Sequence, residues 1–232
     1  MKLSSLVVGV VAVASLVAGC GGSSSSSRAK YRIVHASPDA GVVDVFVNDE
    51  ALFPNVPYLG ATDYESIRTG NANFRVNPDG SGTSVIDADL SLAKDDVRTI
   101  IAAGKAAPSG GEPGIQPIVL TDNLDNPATG SVKVRLVHGS PTAGPVDIYV
   151  TAPGDPLPAT PNFSDVQFGQ NTGYVTLPDG DYRIRITPAN SGTVVIDSGP
   201  VTLNGRAIRT IIARDNTGGG APYGALTLVD KN

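Results

Sequence analysis

The chain has 232 residues, with 17 Lys and Arg against 22 Asp and Glu, for a formal charge of −5 at pH 7. That balance excludes the basic surface with which a protein neutralises nucleic-acid phosphates. A single cysteine excludes an internal disulfide, so stability must come from packing, and the length admits two domains of about one hundred residues.

At the N-terminus Lys2 precedes an uncharged apolar stretch, Leu6 to Val17. It is too short for a confident transmembrane span and suits the n- and h-regions of an export signal. The stretch closes with Val17, Ala18, Gly19 and Cys20. These residues resemble a bacterial lipobox, which implies cleavage after residue 19 and acylation of Cys20. Residues 20–27 then form a lipidated Cys with a flexible Gly/Ser tether. The expected address is an exported, membrane-anchored lipoprotein of the outer membrane or cell surface. Loss of Lys2 leaves sixteen basic and twenty-two acidic side chains, and no polybasic patch.

Beyond the tether the chain repeats itself. Residues 31–48 (YRIVHASPDAGVVDVFVN) and 134–151 (VRLVHGSPTAGPVDIYVT) share ten of eighteen positions at an offset of 103. The segment from Ser81 to Asp87 then recurs at 191–197, and Arg98 to Ala102 (RTIIA) recurs at 209–213. A repeat of this length is a duplicated domain, not a solenoid unit. The first copy takes residues 28–122, a linker 123–130, and the second copy 131–232. The second copy carries an insertion, Ala152 to Asn162 (APGDPLPATPN).

Within each copy the apolar runs are short and rich in β-branched residues, separated by Pro, Gly and Asn clusters. This pattern predicts an all-β fold of two tandem antiparallel β-sandwich domains. Val43, Val45 and Val47, with Val146, Ile148 and Val150, form the expected core face of one strand. Asp44 and Phe46, with Asp147 and Tyr149, occupy its less buried face. Asp79-Gly80 and Asp179-Gly180 are expected to supply the positive φ angles of tight turns. The Gly-rich stretches 107–114 and 216–224 lack the strand and helix context of a phosphate loop, so no nucleotide is expected there.

The motif Arg, apolar, His, x, Ser-Pro, turn, Val-Asp occurs as Arg32, His35, Ser37, Pro38, Val43 and Asp44, and again as Arg135, His138, Ser140, Pro141, Val146 and Asp147. With a Gly-x-Tyr strand at 180–182 and a Thr-bearing apolar strand at 210–213, it resembles the bacterial domain of unknown function 4397. The resemblance implies an extracytoplasmic, immunoglobulin-like β-sandwich and no established activity.

The two histidines each precede a serine by two residues and an aspartate by nine. His35, Ser37 and Asp44, with His138, Ser140 and Asp147, therefore have the residue types of a hydrolytic constellation. Yet no GxSxG elbow accompanies them, and the same groups would satisfy backbone atoms across a hairpin. One His and one Asp per domain fall short of a zinc site, and Asp122, Asn123, Asp125 and Asn126 lack the order of a calcium loop. Phe46 and Tyr149 are the paired aromatic candidates for a sugar platform. The reading expects no enzyme activity, metal or cofactor. It expects a display or binding module for an envelope protein or glycan, with a plain structural spacer as the alternative.

Overall fold

A computed structural model describes residues 27–232. The signal segment and Cys20 lie outside the described residues, which contain no α-helix.

Eight strands build the first domain: β1 (Arg28–Ala36), β2 (Val43–Val47), β3 (Glu50–Val56), β4 (Glu65–Arg68), β5 (Gly70–Pro78), β6 (Ile86–Leu92), β7 (Val97–Ala103) and β8 (Gln116–Thr121). Their counterparts in the second are β9 (Ser131–His138), β10 (Val146–Thr151), β11 (Phe163–Val166), β12 (Val175–Pro178), β13 (Gly180–Pro188), β14 (Ile196–Leu203), β15 (Ile208–Arg214) and β16 (Gly224–Lys231). The first sandwich packs sheet β4-β1-β7-β8 on sheet β3-β2-β5-β6, and the second packs β12-β9-β15-β16 on β11-β10-β13-β14. The two-sandwich expectation holds, with one difference from a purely antiparallel design. β1 pairs with β7, and β9 with β15, in parallel.

Alternation assigns the faces. In β1, Tyr31 and Ile33 enter the core of the first domain, beside Val43, Val45, Phe74 and Ile100. Val34 and Ala36, one residue out of step, join Ile101, Ile118, Val137, Ile212 and Leu228 in a separate apolar cluster shared by both domains. The β1-β7 sheet is therefore covered on both faces, which is why β1 is buried almost without interruption from Tyr31 to Ala36.

Two local expectations need correction. Gly80 does take a positive φ, but Gly180 does not; the counterpart of Gly80 in the second domain is Asn190, which takes the positive angle there at φ 59°. Asp179-Gly180 joins β12 in one sheet to β13 in the other, so it forms a corner between layers instead of a hairpin turn. The outer face of β10 also departs from the pattern. β2 alternates between buried and half-buried, whereas Asp147 and Tyr149 on β10 are both buried.

Candidate functional site

The recurring His, Ser and Asp residues do not assemble into a nucleophile and base. His35 is fully buried, and its Nε2–H donates to the Gly41 carbonyl at 2.8 Å. Its Nδ1 faces the backbone N–H of Ser37, not the hydroxyl, at 3.4 Å. His138 repeats this with Gly144 O at 2.6 Å and the Ser140 N–H at 3.4 Å. Each imidazole thus closes the loop that follows β1 or β9. Burial lowers both histidine pKa values, outweighing the carbonyl contacts that favour the charged ring.

The serines diverge. Ser140 Oγ donates to Asp215, while Ser37 Oγ is buried with no partner. The repeat position of Asp215 in the first domain is Gly104, at φ 103°. A Cβ there would meet the Gly114 carbonyl oxygen at 2.2 Å, so the first domain has no room for the carboxylate that its serine lacks.

Both aspartates hold irregular backbone. Asp44 Oδ1 accepts the N–H of Asn55 at 2.8 Å, and Asp147 Oδ1 accepts that of Asp165 at 2.8 Å. Asn55 and Asp165 have φ of 58° and 54°, and the strand pairing slips in register beside each. Asp147 also accepts the Asn190 N–H at 3.0 Å. Each carboxylate therefore pins a bulge in its edge strand.

The aromatic pair has different surroundings in the two domains. Phe46 is half-buried, with the Arg75 guanidinium 5.4 Å from its ring centroid. Tyr149 lies under the insertion at 152–162, which Arg185 ties down by donating to Thr151 Oγ1 at 2.8 Å and to the Pro156 carbonyl at 3.0 Å. The insertion walls an open cleft of about 540 Å³ lined by Asp147, Tyr149, Leu157, Ser164, Asn190 and Ser191, among others. The Tyr149 hydroxyl makes no hydrogen bond among the described residues.

The densest polar cluster was not singled out as a site from sequence. Arg32 of the first domain pairs with Asp230 of the second, and Arg135 of the second with Asp122 of the first, at 2.6 Å. Arg32 Nε donates to Thr99 Oγ1 at 2.8 Å, and Thr99 donates to Asp122 Oδ2 at 2.5 Å. Arg135 and Thr210 repeat the arrangement, Thr210 donating to Asp230 at 2.7 Å. Tyr64 and Tyr174 cap the two halves: their hydroxyls donate to Asp122 at 2.8 Å and to Asp230 at 2.7 Å. Their rings lie 4.6 Å and 4.5 Å from the arginine carbons. Burial and the neighbouring aspartates push both phenols well above the ordinary tyrosine pKa, despite the arginines. The signal was the recurrence of Arg32/Arg135, Tyr64/Tyr174, Thr99/Thr210 and Asp122/Asp230, with the arginines and threonines set in otherwise apolar strands and the tyrosines beside strand ends.

The cluster accounts for the acidic junction. Asp122 is taken by Arg135, while Asn123 Oδ1 accepts from Lys133 Nζ at 3.0 Å and the Asp125 N–H at 2.9 Å. Among the described residues no group of three or more His, Cys, Asp or Glu side chains is placed to hold a metal ion.

Several solved structures show faint likeness over most of the chain. A family 26 carbohydrate-binding module of Eubacterium rectale Amy13K, in complex with maltoheptaose, is 10% identical, with a TM-score of 0.28 over 88% of this chain and 98% of that one. A streptococcal virulence factor described for alpha-glucan binding is 12% identical, with a TM-score of 0.26 over 79% and 92%. A family 41 carbohydrate-binding module from streptococcal virulence factors is 11% identical, with a TM-score of 0.28 over 84% and 95%. No curated protein matches the chain. The profile described as "Domain of unknown function (DUF4397)" matches residues 29–149 and 153–232, which together take in both sandwiches, and the chain belongs to that family.

Proposed function

We propose that this protein is a non-catalytic binding module of the cell envelope, anchored through lipid on Cys20, whose second domain receives a glycan or an extended protein segment in the cleft beneath the 152–162 insertion. The observation that carries the reading is the cleft itself. The repeat added it to one copy only, over a strand face where Tyr149 keeps an unengaged hydroxyl and Asn190 and Ser191 present polar groups. An open, mixed polar and aromatic surface suits a hydroxyl-rich or peptide ligand better than a reacting substrate. The anchoring half rests on the lipobox-like residues 17–20.

Photo-crosslinking in intact cells tests both halves, with the lipidated protein as bait and residues 28–232 as the soluble control. A glycan or protein captured by the parent protein and lost on replacing residues 153–160 with a short Gly-Ser linker supports the cleft. Metabolic acyl labelling lost in Cys20→Ala supports the anchor. Equal capture with and without the insertion would overturn the cleft reading.

The second reading is a structural spacer. It is favoured by the buried Arg–Asp seam between the domains, which suits a rigid rod as well as a binding platform. Capture of bulk envelope proteins alone, abolished with the lipid, is its expected outcome.

A further inference from the structure

The two sandwiches fill one corner of their cores differently. In the first, Tyr31 on β1, Phe53 on β3 and Phe74 on β5 meet edge to face, with Tyr31 5.1 Å from Phe74 and 6.3 Å from Phe53. The strand registers give the equivalent positions in the second domain. Val134 replaces Tyr31, and Ile184 replaces Phe74, because Val76 and Ile186 sit opposite Val45 and Ile148. Phe163 remains in place of Phe53, since each lies opposite the same residue of the neighbouring strand. Two rings are therefore exchanged for smaller aliphatic groups at one corner of the core. Tyr182, in place of Ala72, returns only one ring, and its hydroxyl is tethered to the Pro178 carbonyl at 2.8 Å.

The space is not closed by collapse. A cavity of about 200 Å³ lies between the edge strands β11 and β12, lined by Val134, Leu136, Leu177, Tyr182, Ile184 and Leu203, among others. It has an outlet. β3 pairs with β2 as far as Val47, but the insertion peels the chain away, so that β11 begins only at Phe163. The exposed Asn162 lines the cavity and takes over from the missing strand by accepting the Val150 N–H at 2.7 Å through Oδ1. Its amide nitrogen donates to no group among the described residues.

We infer that this cavity is a binding site for a small molecule built on a single aromatic ring. The first domain supplies the argument for the occupant, since in the same corner it seats a phenol and a phenyl ring of its own. An apolar cavity of about 150 Å³ is enough for benzene, so this one holds a ring with a short substituent. The Asn162 amide offers that substituent a hydrogen bond at the opening. The site is separate from the cleft beneath the insertion and does not depend on it.

The test is a benzene titration of the two-domain protein, followed through the methyl resonances of both cores. Shifts at Val134, Leu136, Leu177 and Ile184, with Ile33, Val45 and Val76 unmoved, are the expected result. Val134→Tyr and Ile184→Phe each restore one ring of the first domain, and each should weaken benzene binding by at least about tenfold, a change of about 1.4 kcal/mol. Two variants are used because one of them risks overpacking. Absence of methyl shifts in the parent protein at saturating benzene overturns the inference. So do equal shifts in both domains, or undiminished binding by a folded ring-restoring variant.

Discussion

His35 and His138 hold the loops after β1 and β9 as neutral rings, each donating from Nε2 to a carbonyl and accepting at Nδ1. Burial sets both folded pKa values below the ordinary histidine value near 6.5. The unfolded chain therefore binds more protons than the folded one as pH falls below about 6.5, and stability drops in that direction. The histidine contribution is whole above pH 6.5 and is lost as pH falls toward the lowered folded values. Urea melts at pH 7.5 and 5.5 should show this loss, and a His35→Gln, His138→Gln double variant should be weaker at pH 7.5 with a flatter pH response. An equal slope in parent and double variant would assign the acid sensitivity to other groups. The aspartates make a second comparison at this scale. Asp147 holds two backbone N–H groups and Asp44 one. Each Asp→Ala change should cost its domain about 1–3 kcal/mol, with Asp147→Ala the larger; thermal melts that rank Asp44→Ala first would contradict the bulge-pinning role.

At the scale of strands and loops, one repeat explains the other, and the divergences have local causes. Gly104 lets the chain leave β7 at φ 103° beside the Gly114 carbonyl, where its counterpart Asp215 instead serves Ser140. Gly104→Ala should therefore destabilise the protein by more than about 1 kcal/mol, through both the backbone angle and the contact; a melting temperature equal to that of the parent would refute this. What the residues disclosed in advance follows the same logic. β2 was legible because it is covered on one side, which leaves the plain alternation of Val43, Asp44, Val45, Phe46 and Val47. β10 has the same alternating chemistry, but the insertion folds over its outer face and buries Asp147 and Tyr149. The parallel partnership of β1 with β7 left no local mark, because strands buried on both faces lose the period that reveals their orientation. The His, Ser and Asp positions were visible as a recurring motif, and only the fold turns each imidazole toward backbone instead of toward a hydroxyl. The cavity of the second core was illegible for a further reason: Tyr31 to Val134 and Phe74 to Ile184 are ordinary apolar exchanges until the strand registers place them at one corner.

For the molecule as a whole, the decisive contacts join residues nearly two hundred positions apart, as Arg32 and Asp230 are, and no spacing rule reaches that far. Each domain offers one arginine and one aspartate, so the seam is self-complementary, like an interface between two copies around a two-fold axis. Around it lies the shared cluster of Val34, Ile101, Val137, Ile212 and Leu228. At one end, the Gly218 N–H donates to the Pro38 carbonyl at 2.7 Å, and Lys105 bridges Asp39 and the Gly218 carbonyl. A junction this continuous should make the two sandwiches unfold together, and calorimetry should show one transition whose van't Hoff and calorimetric enthalpies agree. The ion pairs make the coupling testable. Asp230→Ala leaves Arg32 buried without its anion, which should cost about 3–5 kcal/mol. Replacing both partners, as in Arg32→Met with Asp230→Leu, removes the unpaired charge and should recover part of that loss, the remainder being the cost of leaving the Thr210 and Tyr174 hydroxyls without their acceptor. If the single variant instead melts in two steps, with one step at the temperature of the parent, then the seam is a latch between independently stable domains. If it melts in one step at a lower temperature, the seam and the shared cluster together bind the two repeats into one cooperative unit, and a ligand held by the second domain would stabilise the first as well.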